Sequence, residues 1–367
     1  MEETRICDIC GREYPLSELT DFDGVLLCES CYRTETVVCE RCGTRIWTDD
    51  NEGDSETPLC SRCYDRYYTT CTDCGRTIHQ DDAYYIDEDD YDARCYTCHC
   101  RHADHRVIHD YYSKPEPIFY GEGSRFFGVE LEIDGAGESN ANAEKILQIA
   151  NRGHELMYAK HDGSLTEGIE LVTFPLTLDF HLLEMPWAEV LDKARALGYL
   201  SHQAGTCGLH VHANRTAFGE TEEEQEEVIG RILYFFEKHW EELLKFSRRT
   251  QKQLRHWAAR YGLKEHPQQV LVEAKGRQER YTCVNLTNYH TVEFRMFRGT
   301  LKLNTLIATL QLLDRICDVA ISLTDDELKD LSWTTFVSGC AHLPELVQYL
   351  KERRLYINEP VAGEEEV

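Results

Sequence analysis

Long apolar runs are missing from this chain of 367 residues. None approaches the roughly eighteen residues needed to cross a bilayer, so no membrane span is expected. Lysine is missing altogether from the first 110 residues, where eleven arginines face 26 acidic side chains. Phosphate-binding surfaces need clustered Lys and Arg, and a formal net charge of −27 argues against nucleic acid or an anionic membrane as a partner. A leader is missing as well: MEETRICDIC reads as neither a signal nor a transit peptide, and a soluble, cytoplasmic protein is the expectation. What is present is globular in composition, 42% hydrophobic and 10% aromatic, and long enough for two or three domains with at least one buried core.

Cysteine is scarce over most of the chain, with Cys207, Cys283, Cys317 and Cys340 scattered, yet thirteen of seventeen fall in the first 100 residues. Six CxxC pairs repeat there: Cys7/Cys10, Cys28/Cys31, Cys39/Cys42, Cys60/Cys63, Cys71/Cys74 and Cys95/Cys98. The first pairs recur every 32 residues, the sign of a tandem array. Two CxxC turns close a four-thiolate zinc site, and without a secretion signal the cluster reads as metal-binding rather than disulfide-forming. Pairing within each repeat gives about three structural zinc ions. Pairing of Cys28/Cys31 with Cys39/Cys42 is the alternative, and His99 or Cys100 could replace a ligand in the third unit. A glycine follows each first pair, as a left-handed knuckle requires, and each second pair looks like the start of a short helix. The units resemble treble-clef or LIM-like fingers, with residues 1–102 as the array. A closed site leaves no open position for chemistry, so the array is expected to be an adaptor for a protein or peptide partner.

Residues 103–124 read as a linker, because Lys114-Pro115-Glu116-Pro117 cannot be helical. Strands and helices then mix through 125–330, an α+β class with a mainly antiparallel sheet. FFGVELEID is a strand, NANAEKILQIANRG a short helix, and residues 154–175 two strands around an Asp-Gly turn. Residues 221–247 form one amphipathic helix opened by a Thr221/Glu224 capping box. Residues 331–367 are a C-terminal helix and an acidic tail.

Several strand faces share an oddity. Glu130, Glu132 and Asp134 alternate against Val129, Leu131 and Ile133; Glu170 opposes Ile169 and Leu171. His210, His212 and Asn214 share a face, as do Glu293 and Arg295. A solvated face usually mixes Thr, Ser, Lys and Glu. This one gathers acids, histidines and an arginine, an inventory suited to divalent cations handling phosphate.

In order along the chain, GVELE, KHDGSL, GIELVT, GLHVHAN and VEFRMFRGT resemble the amidoligase family of the carboxylate–amine ligase superfamily, over about residues 105–325. The resemblance implies a glutamine synthetase-like fold, ATP, and Mg²⁺ or Mn²⁺. It implies that Glu130, Glu132, Glu170, His210 and Glu293 ligate metal, with Asp162 paired to Glu170. Arg295 would face the transferred phosphoryl group and His212 contact phosphate. Arg248, Arg249 and Arg298 are candidates for nucleotide phosphates, and Asn214 and Asn285 for orienting substrate. Asp134 has no counterpart in the motif. The implied reaction activates a carboxylate as an acyl phosphate, which an amine attacks to form an amide. The acid or amine would be an amino acid, peptide or protein. A phosphotransferase on the same fold and an inactive adaptor are the competing readings.

Overall fold

The structure is a computed structural model that describes residues 3–85, 91–99, 107–277 and 279–356. Cys100, most of the expected linker's first residues and the acidic tail lie outside them. Two compact units are formed, Met1–Ala103 and Asp104–Val367.

The first unit repeats one motif three times. Strands Thr4–Ile6 and Glu13–Pro15 pair antiparallel, as do Thr36–Val38 with Arg45–Trp47 and Tyr68–Thr70 with Thr77–His79. The first CxxC of each unit lies in the turn between these strands. Gly11, Gly43 and Gly75 take φ of +71°, +70° and +74° and donate to the carbonyls of Cys7, Cys39 and Cys71. Cys28 and Cys60 are the N-cap residues of helices Glu29–Glu35 and Ser61–Tyr67, and the third helix is Tyr96–His99. Apart from cysteines, the fully buried apolar cores are small: Leu27 in the first finger, Leu59 and Tyr68 in the second. The fingers follow without linkers. Trp47 packs edge-on to Phe22 with centroids 5.0 Å apart, and Asp54 accepts from the Thr77 amide at 2.7 Å.

Seven strands make the sheet of the second unit: β1 (Ile108–His109), β2 (Phe127–Ile133), β3 (Met157–Lys160), β4 (Ile169–Thr173), β5 (Gly208–Asn214), β6 (Val284–Asn285) and β7 (Thr291–Arg298). Their order is β6-β7-β5-β2-β4-β3-β1. Every pairing is antiparallel except β1 with β3, so the sheet is mixed by one edge strand. That edge comes from the segment read as linker. Alternation decides the faces. Phe127, Val129, Leu131, Ile133, Leu209, Val211, Val292 and Phe294 point into one core, together with helices α1 (Asn140–Ala150), α2 (Leu178–Leu183), α3 (Trp187–Ala196), α4 (Glu222–Lys238), α5 (Trp240–Ser247), α6 (Gln251–Trp257), α7 (Pro267–Gly276) and α8 (Leu303–Ser322). None of the described helices is long and apolar enough to cross a membrane.

Three local expectations change. The 221–247 segment is two helices, because His239 leaves helical geometry at ψ 32° and tucks its ring between Phe235 and Trp333. Burial there pushes its imidazole down to about 4. Strands β3 and β4 flank the expected Asp162-Gly163 turn, where the Leu165 amide donates to the Asp162 carbonyl, but the loop runs on because the amides of Thr166 and Glu167 donate to Asp134. The C-terminal segment is broken into Trp333–Ser338 and Pro344–Glu352.

Candidate active site

Strand register assembles the polar face. Glu132 lies opposite Glu170 and Glu170 opposite Lys160; Glu130 lies opposite His210; His212 opposes Glu293, which opposes Asn285. Residues far apart in sequence thus meet on one surface. Among the groups whose ligand atoms lie mutually within 4.8 Å are Glu130 with Glu170 and His210, and Glu130 with His212 and Glu293. Glu130 belongs to both. Its carboxylate lies 3.3 Å from His210 Nδ1 and 3.1 Å from His212 Nε2.

The electrostatics follow from this crowding. Burial would raise the Glu130 carboxyl, but His212 and His210 outweigh it and hold it well below the ordinary range. Glu170 goes the other way: burial and the Glu130 charge push it well up, with Lys160 Nζ at 3.9 Å as partial relief. Burial would lower His212, and Glu130 reverses that. Glu293, also buried, is held down by Arg295, which donates to it, and by His212. Opposed shifts among carboxylates crowded within 4.8 Å of shared ligand atoms mark a site that gains by taking up positive charge. Hard oxygens with imidazole nitrogens suit magnesium or manganese.

A β-bulge shapes one end. Between Leu209 and Val211 the register of β7 slips by one residue, so Phe297 faces the core beside Leu209 and Arg298 lies opposite Gly208. Arg298 donates to the His202 carbonyl at 2.5 Å. Arg249 reaches the same place, since a Cβ on Gly208 would lie 2.7 Å from both its Nη2 and His210 Nε2. Burial, opposed by Glu132 and reinforced by Arg295 and Arg298, pushes the Arg249 guanidinium down to about 10. Arg248, left-handed at φ 60°, ends α5 beside Arg298 and is lowered chiefly by burial. Glu132 is the acid facing this cationic end, and it accepts from the Gly208 amide.

The expected residues therefore come together, with differences in detail. His212, expected at phosphate, stands in a ligand group. Asp162 turns its Oδ1 to the Ser164 amide at 2.7 Å and acts on Glu170 through its charge. Asn214 accepts from the Phe126 amide and donates to the Ser124 carbonyl. Asn285 donates to Glu293 at 2.7 Å, and Asn288 joins it at 3.2 Å. Sequence reasoning passed over Gly208 and the bulge, whose signal is the loss of alternation at Met296-Phe297.

Asp134, outside the motif, is the anchor of the site's rim. Its carboxylate accepts from the amides of Gly135, Thr166 and Glu167 and from the Thr206 hydroxyl, tying the β3–β4 loop to the approach of β5. Burial would raise this group, but those amides hold it below its ordinary value. A depressed carboxylate adds stability above its unfolded value near 3.9 and loses it as pH falls through the folded one. Asp134→Ala is expected to cost about 3 kcal/mol in urea unfolding at pH 7, with the difference from wild type shrinking below about pH 4. A pH-independent difference would mean that the charge is not what holds the loops.

Gly208→Ala tests the crowding at the cationic end. The atoms that must yield are the tips of Arg249 and His210, so the fold should unfold within about 1 kcal/mol of wild type. Affinity for Mn²⁺ should fall by at least about tenfold, since His210 would be moved within its ligand group. Unchanged affinity would show that these side chains need not stand where they do.

In the first unit the cysteines fall into three sets: Cys7, Cys10, Cys28, Cys31; Cys39, Cys42, Cys60, Cys63; and Cys71, Cys74, Cys95, Cys98. Pairing is within repeats, and His99 is not in the third set. The Sγ separations of Cys10–Cys28, Cys42–Cys60 and Cys74–Cys95 are 3.9, 3.8 and 3.7 Å. Four sulfurs about 2.3 Å from one zinc would sit about 3.8 Å apart, so the sets fit structural zinc. Against burial, knuckle amides draw Cys7 and Cys71 down to about 6, toward the thiolate that zinc binds.

Compared with known proteins, residues 130–317 match the family model described as "Putative amidoligase enzyme", about half of the chain. None of the curated proteins matches. Among solved structures, the crystal structure of a bifunctional glutathione synthetase from Pasteurella multocida is similar at 14% identity and a TM-score of 0.36. The alignment covers 63% of this chain and 46% of the synthetase, so this chain spans less than half of that protein. So distant a likeness carries no functional consequence for this chain.

Proposed function

Because the chain belongs to the amidoligase family, we propose that its second unit is an ATP-dependent carboxylate–amine ligase that works through an acyl phosphate on a glutamine synthetase-like fold. One observation carries the reading: two carboxylate–histidine groups share Glu130 and lie beside a half-buried cluster of arginines. Acids that repel one another next to cations that repel one another make a costly surface to leave to water alone. They make a good one for a metal–polyphosphate.

Magnesium or manganese, held by Glu130 with Glu170 and His210 and by Glu130 with His212 and Glu293, would neutralise the terminal phosphates of ATP. Arg248, Arg249 and Arg298 receive the phosphate chain at the bulged end. Arg295, braced by Glu293, faces the γ-phosphoryl group and takes up charge as it transfers to the substrate carboxylate. Asn285 and Asn288 fix the Glu293 carboxylate so that Arg295 keeps its aim. The amine then attacks the acyl carbon and phosphate leaves. The zinc fingers, acidic and closed, serve as the adaptor that captures a protein or peptide partner.

The test is to incubate the full-length protein with MgATP and pooled amino acids or acidic peptides. Amine-dependent ADP release, with a product one water lighter than its parents, is the expected result. A phosphorylated product without an amide would replace the ligase by a kinase. Failure of the wild-type chain to bind both metal and nucleotide would leave an inactive adaptor.

A further inference from the structure

A ladder of cations and rings crosses the polar face, and none of its inner members belongs to the motifs. Lys160 Nζ lies 5.5 Å from the Tyr111 ring centroid, and the Arg280 guanidinium lies 5.6 Å from the same ring and 5.2 Å from that of Tyr281. Arg295 follows at 5.9 Å from Tyr281. Each step is within the range of a cation–π contact.

The ladder joins opposite edges of the sheet. Tyr111 follows β1 by two residues, and Tyr281 precedes β6 by three. Strands lie about 4.8 Å apart, so seven laid flat would separate these edges by about 29 Å. Arg280 nevertheless donates to the Tyr111 hydroxyl, and lies 3.4 Å from that of Tyr281. The sheet must therefore curl, with this bridge passing over its concave, acid-and-histidine side.

The ladder's charges are not equally matched. At one foot Lys160 faces Glu170; at the other Arg295 is paired with Glu293. Arg280, between them, has phenols as partners, and no carboxylate among the described residues lies within ion-pair distance of it. Two phenols occupy part of a five-donor fork and leave the rest for an oxyanion. The phosphate chain already has its own arginines at the bulged end of the sheet.

We infer that Arg280 receives an anionic group of the acid substrate other than the carboxylate being activated, so that the acid is a dicarboxylate such as an acidic amino acid, free or at a peptide's C-terminus. The inference rests on the ligase reading of the same face. Tyr111 and Tyr281 hold the guanidinium over the reacting groups, and Lys160 adds positive field from the Tyr111 side.

Calorimetric titration of the full-length protein with glutarate and with butyrate, in magnesium and a non-hydrolysable ATP analogue, tests this. Glutarate is expected to bind at least about tenfold more tightly than butyrate, the effect of one charged hydrogen-bonded pair. Arg280→Gln should abolish that preference while leaving affinity for the ATP analogue within about twofold. Equal binding of the two acids, or no binding of glutarate, would overturn the inference. So would a variant that loses analogue affinity as much as glutarate affinity, since Arg280 would then serve the transferring phosphoryl group. If the wild-type chain does not bind the analogue with magnesium, the ligase reading itself falls, a separate outcome from the loss of acid preference.

Discussion

Glu130→Gln is expected to lower nucleotide turnover at saturating MgATP by well over a hundredfold while the chain stays folded. The substitution keeps the side chain's size and one acceptor oxygen and removes only the charge. Both ligand groups depend on that charge, since Glu130 is their shared member. Altering partners that merely orient metal ligands already costs about 10–100-fold, and the loss of a ligand common to two sites should exceed it. The variant should also leave the two histidines without the anion that holds them. Only Glu293 then opposes burial at His212, whose imidazole should titrate lower than in the wild type. Nuclear magnetic resonance titration of the histidines reads this directly, independent of activity. Near-normal turnover in Glu130→Gln would remove the shared-ligand account.

Chelation of zinc is expected to unfold the first unit outright. Each finger buries too little apolar surface to stand alone: Leu27 is the one non-cysteine member of the first finger's buried cluster. Metal binding in such modules contributes about 10–16 kcal/mol per site at neutral pH, far more than so small a core can. Because Trp47 packs on Phe22 and Asp54 accepts from Thr77, loss of one finger should loosen its neighbour. A strong chelator should expose the twelve thiols of the three sets to a thiol reagent. Cys63→Ser should release zinc from the second set and raise thiol reactivity in the first and third as well. A chain whose thiols stay unreactive under chelation would argue that the cysteines are held by something other than metal.

The zinc framework was legible because its code is local: CxxC spacing, a following glycine and a repeat period are short-range properties. The polar strand faces were legible for the same reason, since alternation places Glu130, His210 and Glu293 without knowledge of their neighbours. What alternation cannot give is register. The partition into two groups around Glu130 depends on β2 lying between β4 and β5, with β7 next, a matter of topology. The bulge that brings Arg298 beside Gly208 is a single slipped residue in β7, whose one trace in the sequence is the loss of alternation at Met296-Phe297. His239 was hidden differently: a histidine in a helical pattern looks ordinary until its ring is seen between Phe235 and Trp333. Arg280 and Tyr111 stand 169 residues apart and meet only because the sheet curls. Asp134, set aside for lacking a motif, acts through hydrogen bonds to loops whose course no periodicity describes.

The acyl phosphate is the central claim, and the fate of one oxygen atom tests it most directly. An acid substrate carrying heavy oxygen in its carboxyl group should pass one labelled atom to the inorganic phosphate released with each amide formed. Amide formation with no label in the phosphate would mean that the carboxylate is never phosphorylated, and would contradict the account.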